Sequence, residues 1–83
     1  MTREELRAVL VETLSTIVPQ IDAAQIDGDA DLRDELDMDS MDLLNWIIAL
    51  HQRLSVDIPE LDAPKLATLN GAVDYLATRL GTT

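Results

Sequence analysis

The sequence predicts an all-α domain built from packed amphipathic helices. Only two of its 83 residues are aromatic, Trp46 and Tyr75. The core must therefore be assembled from Leu, Ile, Val, Ala and Met, which suits helices better than a sheet rich in aromatic and β-branched residues. Cysteine is absent, so we expect no disulfide and no thiolate metal site. The length suits a single domain, which we place at residues 1–83.

The first helix is predicted at about residues 2–18. Thr2 and Glu5 have the spacing of a capping box. Pro19 ends the helix, because the residue before a proline is disfavoured in the helical region. Apolar residues at helical spacing then define one buried stripe: Leu6, Val9, Leu10, Leu14 and Ile17.

Residues 19–38 are predicted to form a long connecting loop. Leu32 and Leu36 lie four residues apart, and we expect them to form a short helical turn at one end of the core. Acids at 27, 29 and 31 have the spacing of a calcium loop, but Leu32 and Met38 stand where that loop needs a glycine and a glutamate. No dedicated metal site is therefore expected.

A second helix is predicted at about residues 39–54, and it carries two apolar faces. One face suits the core and consists of Leu43, Trp46, Ile47, Leu50 and Leu54. The opposite face combines Met41, Leu44 and Ile48 with the polar Asn45 and Gln52. A small bundle buries only one of these faces fully. The second face is therefore either covered by the loop or exposed as a contact strip.

The remaining segments are short. Residues 56–59 (VDIP) are an extended connector, because Pro59 holds Ile58 out of the helical region. A short third helix is predicted at about 60–66, limited by Pro64. The last helix is predicted at about 69–80, and Gly81 is a suitable C-cap.

Ser40 is the candidate functional residue, and the sequence gives it no catalytic partner. The only histidine, His51, lies eleven residues further along the same helix, or about 16 Å away. A general base must come within about 3 Å of the proton that it removes. Asp39 and Asp42 form a good helix start but are poor bases at neutral pH. Ser40 is therefore inert on its own, and any modification of it needs another protein.

Several segments together resemble the acyl carrier proteins. Residues 36–44 (LDMDSMDLL) are similar to the Asp-Ser-Leu-Asp segment of that family, and the apolar helix, the VDIP connector and residues 68–76 (TLNGAVDYL) follow in the family's order. The first helix and the long acidic loop also match. The resemblance covers nearly the whole chain, with no evident insertion from about residue 26 onward.

The resemblance implies an acyl-carrier-like four-helix bundle with a short third helix and a long loop between helices 1 and 2. It implies a non-catalytic carrier on which Ser40 receives 4′-phosphopantetheine from coenzyme A in the active site of a separate, magnesium-dependent phosphopantetheinyl transferase. Asp39 would help to bind that enzyme's metal. The thiol of the arm would carry acyl groups as thioesters, in fatty-acid, polyketide or a dedicated secondary pathway.

Two further sets of site residues follow from this resemblance. The expected partner-recognition residues are Met41, Asp42, Leu44, Asn45, Ile48 and Leu66. The candidates for an acyl pocket are Leu36, Trp46, Ile47 and Leu50. Trp46 either fills core volume or narrows the cavity that shelters the acyl chain.

The charge pattern predicts the kind of partner. A net charge of −10 argues against nucleic acid and anionic membrane surfaces and favours enzymes with basic docking surfaces. No apolar run approaches the roughly 20 residues of a membrane span, and we expect a cytoplasmic monomer. The second helix is less acidic than in fatty-acid carriers, and Asp37 stands where carriers commonly have glycine. We interpret these departures as those of a specialised carrier.

Two alternatives to this interpretation remain open at the level of the sequence. An aminoacyl or peptidyl carrier of a nonribosomal pathway shares the fold and the serine, although the high acidity favours an acyl carrier. A helical interaction module without a prosthetic group would use Met41, Leu44 and Ile48 as its contact strip.

Overall fold

Four α-helices and two 3₁₀ helices follow one another in the computed structural model, which describes residues 1–81. In chain order they are α1 (Arg3–Ile17), a first 3₁₀ helix (Ala23–Gln25), α2 (Leu32–Glu35), α3 (Ser40–Leu54), a second 3₁₀ helix (Glu60–Leu66) and α4 (Leu69–Leu80). The expected all-α class is confirmed. The last two residues of the expected domain, 82–83, lie outside the described part of the chain.

The helix α1 is the element against which both other long helices pack. Its N-terminus has the expected capping box, in which Thr2 accepts from the Glu5 amide and Glu5 accepts from the Thr2 amide. Leu6, Leu10 and Leu14 are fully buried at intervals of four residues, so one stripe of α1 faces the core. The bundle is therefore organised around this stripe, with α3 and α4 on either side.

The long loop is tied to the start of α4. The Leu32 amide donates to the Ala67 carbonyl at 2.8 Å, and the Asn70 amide donates to the Gly28 carbonyl at 2.9 Å. A Cβ at Gly28 would lie only 2.6 Å from the Asn70 side chain, so a larger residue there would displace this side chain from its hydrogen bond to Asp29. Leu32 is fully buried at the start of α2. The loop is thus fixed to the start of α4 at two points, residues 28 and 32, just before the segment that leads to α3.

The aspartates of the loop stabilise its turns. Asp22, Asp27 and Asp31 each accept a hydrogen bond from the backbone amide two residues further on, at 2.9–3.0 Å. Such bonds are the usual role of aspartate in turns and caps. Residues 1–81 contain no group of three or more His, Cys, Asp or Glu side chains arranged to hold a metal ion.

Trp46 fills the centre of the interface between α3 and α1. Its ring is fully buried, and its Nε1 donates to the Thr13 hydroxyl at 3.0 Å. The same hydroxyl donates to the Leu10 carbonyl at 2.9 Å, so the buried indole N–H and the buried hydroxyl each have a hydrogen-bond partner. In the described residues no buried side-chain nitrogen or oxygen lacks a partner. The bond between Trp46 and Thr13 therefore fixes how α1 and α3 meet.

The second 3₁₀ helix lies closer to α4 than to α3. Pro64 lies inside it, where the missing N–H helps to explain why the segment is short and 3₁₀ rather than α. Residues three apart share a face of a 3₁₀ helix, and the last member of one such set, Leu66, is fully buried. None of the helices in residues 1–81 is long and apolar enough to cross a membrane.

We expect Thr13→Val to destabilise the fold by about 1–3 kcal/mol, because it leaves the buried Trp46 N–H without an acceptor. In a Trp46→Phe background the same substitution should cost less, since the donor is gone. Urea unfolding followed by circular dichroism measures both effects. Thr16→Val, at an exposed position on α1, is the control. An equal cost of Thr13→Val in both backgrounds would contradict the role given to this bond.

Candidate functional site

The site begins at the N-terminus of α3. Asp39 is the N-cap, and its Oδ1 accepts from the Asp42 amide at 2.8 Å. Asp42 in turn accepts from the Asp39 amide at 3.3 Å, so the two aspartates form a reciprocal capping box. Ser40 is the first helical residue between them and is exposed. The cap engages the two carboxylates and leaves the Ser40 hydroxyl to face solvent.

The segment before Ser40 is held by one buried side chain and one unusual backbone conformation. Met38 is buried, and its amide donates to the Arg33 carbonyl at 3.0 Å. Asp37 has a φ of 54°, in the left-handed region that favours glycine but that aspartate tolerates better than most residues. Glycine would adopt this conformation without the cost that a side chain brings. The turn at Asp37 directs the chain from α2 into α3.

The geometry gives Ser40 no general base. His51 lies near the far end of α3, and its Nδ1 is 2.8 Å from the Val56 carbonyl. Eleven residues of helix separate it from Ser40, a distance of about 16 Å. The hydroxyl is therefore exposed for modification but is not activated by this histidine.

A groove runs from Ser40 along α3, between this helix and the second 3₁₀ helix. The part beside Ser40 has a volume of about 290 Å³, and the part toward His51 has a volume of about 460 Å³. Leu44, Ile47, Glu60 and Ala63 line both parts, so the two are continuous. Its surface is mainly apolar, whereas Asp57 and His51 make the far end polar.

The second 3₁₀ helix forms the outer wall of the groove, and Asp62 attaches it to α4. The Tyr75 hydroxyl donates to Asp62 at 2.5 Å, and Arg79 donates to the same carboxylate at 2.9 Å. The hydrogen bond from Tyr75, followed by the cations of Lys65 and Arg79, lowers the pKa of Asp62 below its ordinary value of 3.8. Burial, together with the hydrogen bond to Asp62, raises the pKa of Tyr75 above 10.0. The carboxylate and the neutral phenol therefore stabilise each other over a wide pH range.

The structure places several of the expected site residues away from the groove. Leu66, expected to contact partners, is fully buried because it ends the inward face of the second 3₁₀ helix. Trp46 and Leu50, expected to line an acyl pocket, are fully buried in the core, and Trp46 points at α1. Leu36 lines a different groove, between the C-terminal end of α1 and the loop. Of the four pocket candidates, only Ile47 lies on the groove beside Ser40.

The sequence analysis missed the residues of the outer wall. Ile58, Glu60 and Ala63 line the groove from the connector and the second 3₁₀ helix. A period of three residues, which joins 60, 63 and 66 on one face, is the signal that identifies them. The prediction of a short helix at about 60–66 did not take this period of three into account.

The strip of Met41, Leu44 and Ile48 is exposed along α3, with exposed fractions of 61%, 45% and 46%. Asn45 is exposed beside it, and Asp42 is half-buried in the cap. Leu44 and Ile48 also line the groove, so the strip and the groove share an edge. An apolar strip at the mouth of a groove suits contact with another protein.

Negative charge is concentrated next to this strip, before and at the start of α3. Eight of the 16 acidic residues lie within residues 27–42, and α3 has none after Asp42. Arg33 is the one basic residue of that stretch, and its hydrogen bonds to Asp31 lower the pKa of that carboxyl. The field therefore centres on the Ser40 end of α3.

These features define a small carrier domain: a helical bundle that exposes one serine at a helix N-terminus, next to an apolar groove and an acidic surface. The family model for the phosphopantetheine attachment site matches residues 4–76. Acyl carrier proteins of Campylobacter jejuni and Helicobacter hepaticus are 35% and 32% identical to the chain over 75 residues. These alignments cover 90% of this chain and 91% and 92% of the two relatives.

A solved structure shows the same architecture. The acyl carrier protein of Enterococcus faecalis superposes with a TM-score of 0.79 and 29% identity, over 95% of this chain and 99% of that one. The chain belongs to the acyl carrier protein family. Its function is to carry acyl groups on a covalently attached 4′-phosphopantetheine, and the family's role is generally non-catalytic.

We expect Asp39→Ala to destabilise the protein by about 0.5–2 kcal/mol, because the Asp42 amide loses its acceptor. Asp39→Asn retains an oxygen at the cap and should cost less. Urea unfolding followed by Trp46 fluorescence measures the difference. Asp34→Ala removes an exposed carboxylate from α2 and is the control. Equal costs for the alanine and asparagine variants would show that the cap does not act through its oxygen.

The stability difference between the wild-type chain and Asp62→Asn should depend on pH in acid. The pKa of Asp62 is lower in the folded protein than its ordinary value of 3.8, so its contribution is fully present above that value. The contribution is lost as the pH falls through the lowered pKa. Urea unfolding of both proteins should give a constant difference from pH 7 to about pH 5 and a smaller one below about pH 3. A difference that stays constant throughout would contradict the ionised state of Asp62.

Proposed function

We propose that Ser40 is the residue to which 4′-phosphopantetheine is attached, and that the acyl chain on this arm lies in the groove beside it. The observation that carries the proposal is the position of Ser40. It is exposed at the first residue of α3 and forms part of the lining of the groove. A group attached there has an apolar surface within reach without any rearrangement of the helices.

The residues around Ser40 fit a phosphodiester. Unbonded backbone amides and the positive end of the helix dipole favour a phosphate at the start of α3. Asp39 and Asp42 flank it and repel the same charge, which favours an arm that projects from the surface. When bound, the group supplies a terminal thiol that holds the acyl chain as a thioester.

The groove suits an apolar chain over most of its length. Leu44, Ile47 and Ile48 on α3 face Ile58 and Ala63 on the other side. Water exclusion by such a surface stabilises a bound hydrocarbon by about 0.8 kcal/mol per buried CH₂ group. His51 and Asp57 at the far end favour a chain that stops short of them or ends in a polar group.

A separate phosphopantetheinyl transferase performs the modification in this proposal. Ser40 has no base of its own within reach, so the enzyme must provide one. The capping bond uses Oδ1 of Asp39 and leaves Oδ2 for the enzyme's metal. The same enzyme, and those that load and process the acyl group, would dock on Met41, Leu44, Asn45 and Ile48.

The concentration of acids in residues 27–42 supports partners with basic docking surfaces. The basic rim of such a partner would lie near Ser40 rather than along the second half of α3, which carries no acid. We place this carrier in the cytoplasm as a monomer, in a dedicated pathway rather than in bulk fatty-acid synthesis. Its acidic composition is consistent with a protein steered electrostatically between enzymes.

Mass spectrometry tests the attachment site. Incubation with coenzyme A, magnesium and a broad-specificity transferase should add one phosphopantetheine to the wild-type chain and none to Ser40→Ala. Ser15→Ala, on the surface of α1, should be modified at the wild-type rate. Asp39→Asn should be folded but modified more slowly, because a neutral amide replaces the charged carboxylate.

Two outcomes would overturn the proposal. The first is a wild-type chain that gains no phosphopantetheine mass, and the second is an addition that persists in Ser40→Ala. Transfer of acyl groups from acyl-coenzyme A analogues, compared with loading by aminoacyl-adenylating enzymes, distinguishes an acyl carrier from an aminoacyl carrier.

A further inference from the structure

The outer wall of the groove is attached to the molecule from one side. The second 3₁₀ helix lies close to α4, and the groove separates it from α3. Leu66 anchors its last residue in the core, whereas Leu61 near its start is 91% exposed. Within residues 60–63 the hydrophobic packing is limited to the partly buried Ala63, so the position of this half relative to α3 depends largely on its polar contacts with α4.

Three residues make those contacts, and we call Asp62, Tyr75 and Arg79 the latch. Asp62 Oδ2 accepts from the Tyr75 hydroxyl at 2.5 Å and from Arg79 at 2.9 Å. Arg79 also donates to the Asp57 carbonyl at 3.3 Å, and its guanidinium lies 4.9 Å from the centre of the Tyr75 ring. The latch thus connects α4 to both the connector and the second 3₁₀ helix.

The latch is better placed to fix a geometry than an ordinary surface ion pair. The Asp62 side chain is only 17% exposed, and its carboxylate accepts from a phenol and a guanidinium at once. Hydrogen bonds to a charged group are shorter and stronger than neutral ones. Lys65, on the same helix, lies 3.4 Å from the other carboxylate oxygen.

The latch residues alternate with residues of the groove. Glu60 and Ala63 both line the groove. Ala63 directly follows Asp62 in the chain, and Glu60 lies two residues before Asp62. Asp57, whose carbonyl is held by Arg79, is part of the far end. Any movement of the latch is therefore transmitted to the groove through one or two peptide units.

We propose that the latch is a positioning device that sets the width of the groove and so selects which acyl chains the carrier shields from water. This inference rests on the proposed attachment to Ser40. A chain with a branch near its end needs more space between α3 and this wall than an unbranched chain of equal carbon number, and the latch opposes such widening.

Two variants weaken the latch in different ways. Asp62→Asn removes the charge that Tyr75 and Arg79 share, and Tyr75→Phe removes one hydroxyl while keeping the partly buried ring. The matched control is Asp74→Asn, which removes an acid from α4, the helix that carries Tyr75. Asp74 pairs with Arg3 on α1, away from the groove.

The first measurement uses the unmodified chain. Amide hydrogen exchange of residues 60–63 should be faster in both latch variants by about 2- to 10-fold, the effect of losing one hydrogen bond. Exchange in α1 and α3 should change much less. Asp74→Asn should leave residues 60–63 at the wild-type rate.

The second measurement uses the holo carrier loaded with hexanoyl or isohexanoyl groups, which have equal carbon numbers. Non-enzymatic thioester hydrolysis is measured for each and divided by the rate for the same thioester on free pantetheine. In the wild-type carrier the hexanoyl group should be better protected than the isohexanoyl group. In the latch variants this ratio should fall by about 2- to 10-fold, because the wall no longer resists the branch.

The failure of this inference is distinguishable from the failure of the proposed function. Phosphopantetheine on Ser40, combined with a wild-type protection ratio in both latch variants, would overturn the latch alone. So would an equal change in Asp74→Asn, or unchanged exchange of residues 60–63 in both latch variants. A chain that accepts no phosphopantetheine would overturn the attachment proposal, and the cargo selection with it.

Discussion

Burial of one stripe of α1 by two helices at once is the constraint on which the rest of the structure depends. Leu6, Leu10 and Leu14 occupy the space between α3 and α4, so neither of those helices needs close contact with the other. The chain of 83 residues has no phenylalanine, and the buried ring of Trp46 fills core volume that the aliphatic side chains do not occupy. The indole N–H must then find an acceptor, and Thr13 on α1 provides it. Packing and hydrogen bonding thus set the rotation of α3 together.

That rotation determines what the other side of α3 presents. With Trp46 turned toward α1, Ile47 turns toward the second 3₁₀ helix, and Leu44 and Ile48 lie at the border between groove and solvent. The apolar surface that the core does not use becomes the groove and the strip beside it. Ser40 begins the same helix, so the proposed attachment point and one wall of the groove share a rigid element. Their relation therefore does not depend on the loop.

Much of the fold follows from the sequence because helical periodicity and caps are local signals. The bounds of α3 and α4, the capping at Thr2 and Asp39, and the exposed position of Ser40 all follow from such signals. The groove does not, since assigning Trp46 or Ile47 to it requires the rotation of α3. The burial of Leu66 depends on the 3₁₀ period of its segment, which the helical pattern of the sequence does not reveal. The bond between Asp62 and Tyr75 joins residues 13 positions apart on different elements, which no local pattern specifies.

The bonds from the loop to Ala67 and Asn70 have a consequence for the order of events during synthesis. The ribosome releases the chain from its N-terminus, so Ser40 emerges well before the residues that hold its loop. Until Asn70 is available, Gly28 lacks its partner and the approach to α3 is unsupported. A nascent chain would therefore display the serine without the folded surface on which we propose that the modifying enzyme docks. Completion of the last helix thus separates a folded carrier from an unfinished one.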